Sequence, residues 1–212
     1  MNTKEIREYK KRLKLTGIQR EILVGVLLGD AHLETQNNGR TYRLKIEQSL
    51  EHRDYVEHLY TVFREWVLTP PSTRSVVTRG VLTKNYRFST LSHGAFRFYA
   101  QQFYLNGRKR VPEKIGRLIT PRSIAYWFMD DGSIKSKESK GIIINTQSFS
   151  KSEVKILVNL LKTKFGLDSK LRRQREGFQI YISGFCFERF YAIVKDYIID
   201  SMLYKLPHSW RT

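Results

Sequence analysis

The chain has 212 residues, enough for a sizeable core and between one and two typical domains, and its 41% hydrophobic content suits a folded protein. Lys and Arg number 38 against 20 Asp and Glu, so the net charge of +18 favours a polyanionic partner, with nucleic acid first. A single cysteine, Cys186, excludes an internal disulfide and a cysteine zinc centre, and no stretch approaches the roughly 18 apolar residues of a membrane span.

The charged N-terminus lacks the apolar core of a secretory signal, and Lys10, Lys11 and Arg12 read as a nuclear signal or an exposed helix face near DNA. Thr16 with Gln19 forms a capping-box pattern ahead of an apolar helix over Leu23–Ala31 (LVGVLLGDA) that ends at Asp30. Tyr42, Leu44 and Ile46 then alternate with Arg43, Lys45 and Glu47, as a strand with one buried face does. A helix is expected over Arg53–Trp66. A strand follows around Tyr86 and Phe88, alternating with Asn85, Arg87 and Ser89, and then a helix over His93–Leu105. Asn106 to Leu118, basic and containing Gly107, Pro112 and Gly116, reads as a linker.

Thr120 and Pro121 open a second apolar helix through Ile124–Gly132 (IAYWFMDDG), with Gly132 expected as its left-handed end. Ser150 with Glu153 caps a helix running to Phe165 before Gly166. Phe178, Ile180 and Ile182 alternate with Gln179, Tyr181 and Ser183 as a strand, and Phe185–Ile199 reads as the last helix, with Cys186 as a small buried residue.

Four pairs recur in register. Asp30 and Asp131 differ by 131 − 30 = 101, RFYA at Arg97 and Arg189 by 92, Gln48–Ser49 and Gln147–Ser148 by 99, and a Lys shortly before a Pro occurs at Lys109 and Lys205. The pattern indicates duplication: two like subdomains, 1–111 and 112–212, related by a pseudo-two-fold axis. Each half reads helix, hairpin, helix, hairpin, helix. This predicts an α+β fold whose two antiparallel sheets put one face on helices and leave a basic face open, with the two motif helices packed together.

An acid at a helix C-terminus meets the negative end of the macrodipole, and two such ends brought together repel. A single apolar helix ending in Asp is usually a core helix with a solvated end, but here the feature occurs twice on a strongly basic chain. A hard divalent cation such as Mg²⁺ removes both penalties, and one or two carboxylates plus phosphate oxygens are its usual ligands. Asp30 and Asp131 are the candidate metal acids. Successive helix residues point about 100° apart, so only one of Asp130 and Asp131 can project like Asp30, and register favours Asp131. Lys109 and Lys205, once per half, suit stabilisation of a pentacoordinate phosphorus. Arg40, Arg43, Lys45, Arg74, Arg79, Lys84, Arg87, Lys170, Arg172, Arg173, Arg175 and Gln179 lie in strand-like segments suited to contacting DNA. Strands of about ten residues would reach roughly 33 Å, about one turn of duplex per half. His32, His52, His58, His93 and His208 form no nuclease or zinc pattern.

TPRSIAYWFMDDG (120–132), NTQSFS (145–150), WVLTPP (66–71) and YKLP (204–207), with the first motif, make the chain resemble the LAGLIDADG homing endonucleases of the monomeric two-motif, organellar intron-encoded kind. The resemblance spans nearly the whole chain. It implies a homing endonuclease fold, a duplicated αββαββα with two saddle-shaped sheets on double-stranded DNA. It also implies Mg²⁺ (or Mn²⁺ in its place) on Asp30 and Asp131, and basic residues Lys109 and Lys205. Solvent-positioning amides fall on Gln48 and Gln147, and cleavage of both strands would leave 3′ overhangs. Gly25 matches the family's small helix-contact residue, whereas Tyr126 stands at the same place in the second copy. An organelle, mitochondrion or chloroplast, is the implied location. The competing functions on this scaffold are an RNA maturase that assists intron splicing and a catalytically silent DNA-binding regulator. Both acids and both lysines favour the nuclease, since binding alone does not need them.

Overall fold

The structure, a computed structural model, describes residues 3–78, 80–136 and 139–207. In chain order the first half comprises α1 (Lys4–Arg12), α2 (Gly17–Leu28), β1 (His32–Glu34), β2 (Arg43–Ser49), α3 (Arg53–Val62), β3 (Ser72–Thr78), β4 (Val81–Ser89) and α4 (Arg97–Phe103). A short hairpin, β5 (Tyr104–Leu105) and β6 (Arg108–Lys109), and the single turn α5 (Ile115–Leu118) lead to the second half. That half comprises α6 (Pro121–Asp131), β7 (Gly132–Ser136), β8 (Ser139–Asn145), α7 (Lys151–Phe165), β9 (Ser169–Gln174), β10 (Gly177–Ile182) and α8 (Phe187–Val194).

The sheets run β1-β2-β4-β3 and β7-β8-β10-β9, antiparallel throughout. From α2 and from α6 onward, the same helix-hairpin-helix-hairpin-helix order repeats, so the expected duplicated α+β architecture is present.

The chain packs as two compact units, Met1–Arg20 with Asp30–Ala100, and Glu21–Gly29 with Gln101–Thr212. In the first, Leu44, Ile46, Tyr86 and Phe88 turn from the sheet onto Tyr55, Val56 and Leu59 of α3, all buried. The Thr16–Gln19 capping box forms, with Gln19 Oε1 accepting from the Thr16 N–H (3.0 Å) and Thr16 Oγ1 accepting from the Gln19 N–H (3.1 Å). The Gln19 amide also donates to the Val62 carbonyl (2.8 Å) and accepts from the Trp66 indole (3.3 Å), so one side chain caps α2 and satisfies a buried tryptophan.

In the second unit, Ile142, Ile144, Ile180 and Ile182 face Val154, Leu157 and Leu161 of α7, while Phe128 meets Phe190 edge-on at 5.0 Å. Both predicted caps of α6 and α7 are made, by Thr120 and Ser150, and Gly166 ends α7 in the left-handed region at φ 65°. Each fully buried Leu, Ile or Phe in these cores contributes roughly 1.5–3 kcal/mol.

Five local expectations change. Gly132 is extended (φ −84°, ψ 152°) and begins β7; glycine is needed there because a Cβ would run into the Phe128 ring. The expected 53–66 helix stops at Val62 and finishes as a 3₁₀ turn over Arg64–Trp66, and the strands are two to nine residues long rather than ten. The 106–118 segment is not an open linker. Asn106 (φ 50°) and Gly107 (φ 77°) form a two-residue hairpin turn, and Val111 and Ile115 are buried. Cys186 is half-buried, its sulfur accepting from the Asp168 N–H at 3.2 Å.

Candidate active site and nucleic-acid face

Within the second unit, Glu21–Gly29 of the first motif packs on α6. A Cβ on Gly25 would lie 2.5 Å from the Ser123 carbonyl oxygen and 2.8 Å from Tyr126 Cβ, so only glycine permits this approach. Tyr126 therefore supplies the bulk that Gly25 omits, and burial pushes its phenol up to about 12 despite the Arg122 charge. The contact is fastened by Ser123 Oγ donating to the Glu21 carbonyl (2.9 Å) and by an Arg122–Glu21 ion pair (2.8 Å). Gly29 repeats the device, since a Cβ there would overlap the Asp130 side chain. Asp130 is thus a packing residue of the helix pair, which leaves Asp131 as the counterpart of Asp30.

The two lysines agree with that register. Lys109 Nζ donates to the Gly29 carbonyl (2.6 Å) and Lys205 Nζ to the Asp130 carbonyl (2.9 Å). Each ammonium is pinned to the residue immediately before a candidate acid, at a helix end whose carbonyls lack intrahelical partners. The supports differ: Lys109 sits on the β5–β6 hairpin opposite Tyr104, and Lys205 ends a 3₁₀ stretch over Asp200–Lys205.

Asp30 is exposed and its Oδ2 accepts from the Gln48 amide at 2.8 Å. The second half differs. Its Gln147 amide donates to Asn145 Oδ1 (3.4 Å), and sheet register explains the change. His32 pairs with Lys45 and Ser133 with Ile143, so with Asp30 matched to Asp131, Lys45 corresponds to Ile143 (143 − 45 = 98) and Gln48 to Thr146. The sequence offset of 99 had matched Gln48 to Gln147, one residue further on.

Among the described residues no group of three His, Cys, Asp or Glu side chains is arranged to hold a metal. A cation on Asp30 or Asp131 would take its remaining ligands from water and phosphate. Hard carboxylates at helix ends fit Mg²⁺ held in that way.

On the first sheet, register puts His32, Glu34, Arg43, Lys45, Glu47, Arg87, Asn85, Ser72 and Arg74 on the open face. Glu34 pairs with Arg43 and with Lys45 (3.1 Å), and Glu47 with Arg87 (3.8 Å) and the Asn85 amide (2.9 Å). Burial raises the Glu34 carboxyl, but the hydrogen bonds and charges of Arg43 and Lys45 outweigh it and hold the carboxyl below the ordinary value. Lys84 shares the opposite face with Tyr86 and Phe88 by register, and the Arg40 carbonyl accepts from Arg97 (2.9 Å) in the β1–β2 loop. Arg79 lies outside the described residues.

On the second sheet, Lys170, Arg172, Gln179, Tyr181 and Asn145 share the open face, whereas Arg173 pairs with Phe178 on the other and exposed Arg175 sits in the turn. Lys135 and Lys170 stand 5.6 and 5.4 Å from the Tyr181 ring, which lies over Gly141. Glu34, Glu47, Asn145, Lys135 and Tyr181 were not singled out from sequence. Alternation alone carries them, since they share strand faces with the chosen cations.

A duplicated α+β unit with open basic sheet faces and a lysine-flanked acid at the end of each motif helix defines a nucleic-acid enzyme of the two-motif class. The chain belongs to the LAGLIDADG DNA endonuclease family, whose model matches residues 20–190. It is 36% identical over 214 residues to a probable intron-encoded endonuclease 1 of Wickerhamomyces canadensis, covering 97% of this chain and 91% of that one. It is 30% identical over 210 residues to the DNA endonuclease I-ChuI of Chlamydomonas applanata, covering 92% and 96%. The homing endonuclease I-WcaI, solved bound to its DNA recognition sequence, superposes with a TM-score of 0.91 at 35% identity, covering 97% of this chain and 93% of that one.

Proposed function

We propose that the protein is a monomeric, site-specific homing endonuclease that cuts both strands of a long asymmetric DNA site with Mg²⁺ and leaves 3′ overhangs. Asp30 and Asp131 are the metal-binding acids, one in each evolutionary half, 1–111 and 112–212. The observation that carries the reading is the repeated lysine bond, to the carbonyl just before Asp30 and to the one just before Asp131. Two unrelated surface acids would not share it.

Asp30 and Asp131 would hold the divalent cation, which would supply activation of a water and charge stabilisation at the leaving oxygen. The chain's own groups do the rest. Lys109 and Lys205 offset charge gathering on the phosphorus, and their bonds to the helix-end carbonyls fix them before substrate arrives. Gln48, held on Asp30, orients water on that side. Arg43, Lys45, Arg74, Arg87, Lys170 and Arg172 contact the duplex from the open faces, where Glu34 and Glu47 keep three of the arms ordered. The intron-encoded name of the Wickerhamomyces canadensis relative supports a gene carried by an intron, and an organelle as its location is part of the same proposal.

Asp30→Asn and Asp131→Asn each abolish double-strand cleavage while leaving DNA binding largely intact. Unaltered cutting by either variant refutes the assignment.

A further inference from the structure

Register makes the two sheets comparable place by place, and at one set of places their chemistry is opposite. With His32 matched to Ser133 and Lys45 to Ile143, Glu34 corresponds to Lys135 and Arg43 to Gly141. Ser89, which pairs with Lys45, then corresponds to Tyr181, which pairs with Ile143. On the first sheet these places hold a charged lattice, in which Glu34 grips Arg43 and Lys45 (3.1 Å). On the second they hold a glycine, an isoleucine and a tyrosine beside a lysine.

The second set is built as a unit. Gly141 is buried although it has no side chain, because the Tyr181 ring lies over it. A Cβ there would stand 2.8 Å from Tyr181 Cε2 and 2.9 Å from its hydroxyl oxygen, so glycine lets the ring lie across β8. Ile142 and Ile144 face α7, and the pleat therefore turns Ile143 to the open side, where it is still only 9% exposed. Lys170 stands opposite Tyr181 in the ladder, and the ammoniums of Lys170 and Lys135 lie 5.4 and 5.6 Å from the ring centroid. The result is an apolar floor rimmed by cations, on a face that otherwise presents Arg172, Gln179 and Asn145.

A base edge set on this floor meets neither donor nor acceptor. In the major groove guanine, adenine and cytosine offer hydrogen-bonding groups that would be left unpaired there, whereas thymine offers a methyl group. The flanking ammoniums suit the neighbouring phosphates. We propose that Tyr181 is a specificity-determining residue whose ring, laid over Gly141 beside Ile143, receives the 5-methyl group of a thymine in the DNA target. The inference rests on the endonuclease reading and gives its asymmetric site a physical basis. Guanidinium and ammonium donors read one half, and an apolar floor reads the other.

The test begins by selecting the preferred site from a randomised duplex library. Each thymine in it is then replaced in turn by deoxyuridine, which removes only the methyl, and affinity is measured in chelator so that the duplex stays intact. At the thymine seated on the floor, the unmodified protein should bind the uridine duplex about four-fold more weakly, the worth of one buried methyl. Tyr181→Ser, which matches Ser89 of the first sheet, should bind both duplexes alike, and Tyr181→Phe should keep the preference. Gly141→Ala retains the tyrosine but displaces its ring, and should reduce the preference. A tyrosine with a purely structural role would change melting temperature or overall affinity without erasing the difference between thymine and uridine. The inference is overturned if no thymine shows that difference, or if it survives undiminished in Tyr181→Ser. Should Tyr181→Ser fail to fold, an undiminished preference in Gly141→Ala overturns it equally. A protein that enriches no sequence from the library would instead take down the site-specific reading, and this inference with it.

Discussion

Gly25→Ala is the sharpest test of how the first motif packs. The added Cβ meets the Ser123 carbonyl oxygen at 2.5 Å and Tyr126 Cβ at 2.8 Å, where ordinary contact begins at 3.4 Å, so the helices must part by about 0.9 Å (3.4 − 2.5). Neither obstacle is the free end of a side chain. Parting stretches the Ser123–Glu21 hydrogen bond and the Arg122–Glu21 pair. Overpacking costs about 1–3 kcal/mol and a weakened hydrogen bond about 0.5–1.5, against a gain of about 0.5–1 for replacing glycine inside a helix. The net loss is about 0.5–4 kcal/mol, or about 1–16 °C in Tm for a chain of this size. Gly17→Ala is the matched control, because nothing lies within 4 Å of its Cβ. Thermal melts followed by circular dichroism decide the matter: a Gly25→Ala variant melting at or above the unmodified protein refutes the packing.

Ser150→Ala, which removes the hydroxyl that caps α7 and donates to the Glu153 carboxylate (2.6 Å), should cost about 1 kcal/mol in a denaturant titration. Glu34→Gln should be less stable than the unmodified protein at neutral pH. Because the folded Glu34 pKa is depressed, its stabilisation is present above the unfolded value near 4.5 and lost as pH falls through the folded one. The gap between the two proteins should narrow as pH falls below the unfolded value and vanish once the folded carboxyl is protonated, in pH-resolved melts. Lys109→Met and Lys205→Met should each slow cleavage by about 10²-fold or more with little change in target affinity, measured by single-turnover kinetics. Target affinity should fall with salt at a logarithmic slope of about −0.9 per neutralised phosphate, and a slope near zero would deny the open faces their role.

Much of this was legible in the chain because local chemistry determined it. Thr16–Gln19, Thr120–Pro121 and Ser150–Glu153 marked helix starts, and the alternation at Leu44–Ile46 and Ile180–Ile182 marked buried sheet faces. The acids and lysines emerged from the repeat, whose partners sit at equivalent carbonyls. What escaped depended on register and contact. Gly132 looks like a helix-ending glycine, yet what selects it is the Phe128 ring, invisible to local pattern. Arg172 and Arg173 look alike in sequence, but the pleat sends them to opposite faces. Gln147 falls out of register with Gln48 because the β1–β2 connection is longer than the β7–β8 one, so matching by sequence offset lands one residue from the match by ladder. The Asn106–Gly107 hairpin that carries Lys109 was foreshadowed by its turn residues, but the surrounding charge made it resemble a linker.

The account stands most directly on one reaction: an intronless target duplex incubated with the protein in Mg²⁺ and, in parallel, in chelator, with both cut ends mapped by sequencing. Cuts on both strands with 3′ overhangs, absent in chelator and absent with Asp131→Asn, are the predicted outcome. Cleavage that persists in chelator, or survives loss of that carboxylate, would contradict metal-dependent chemistry at the paired helix ends.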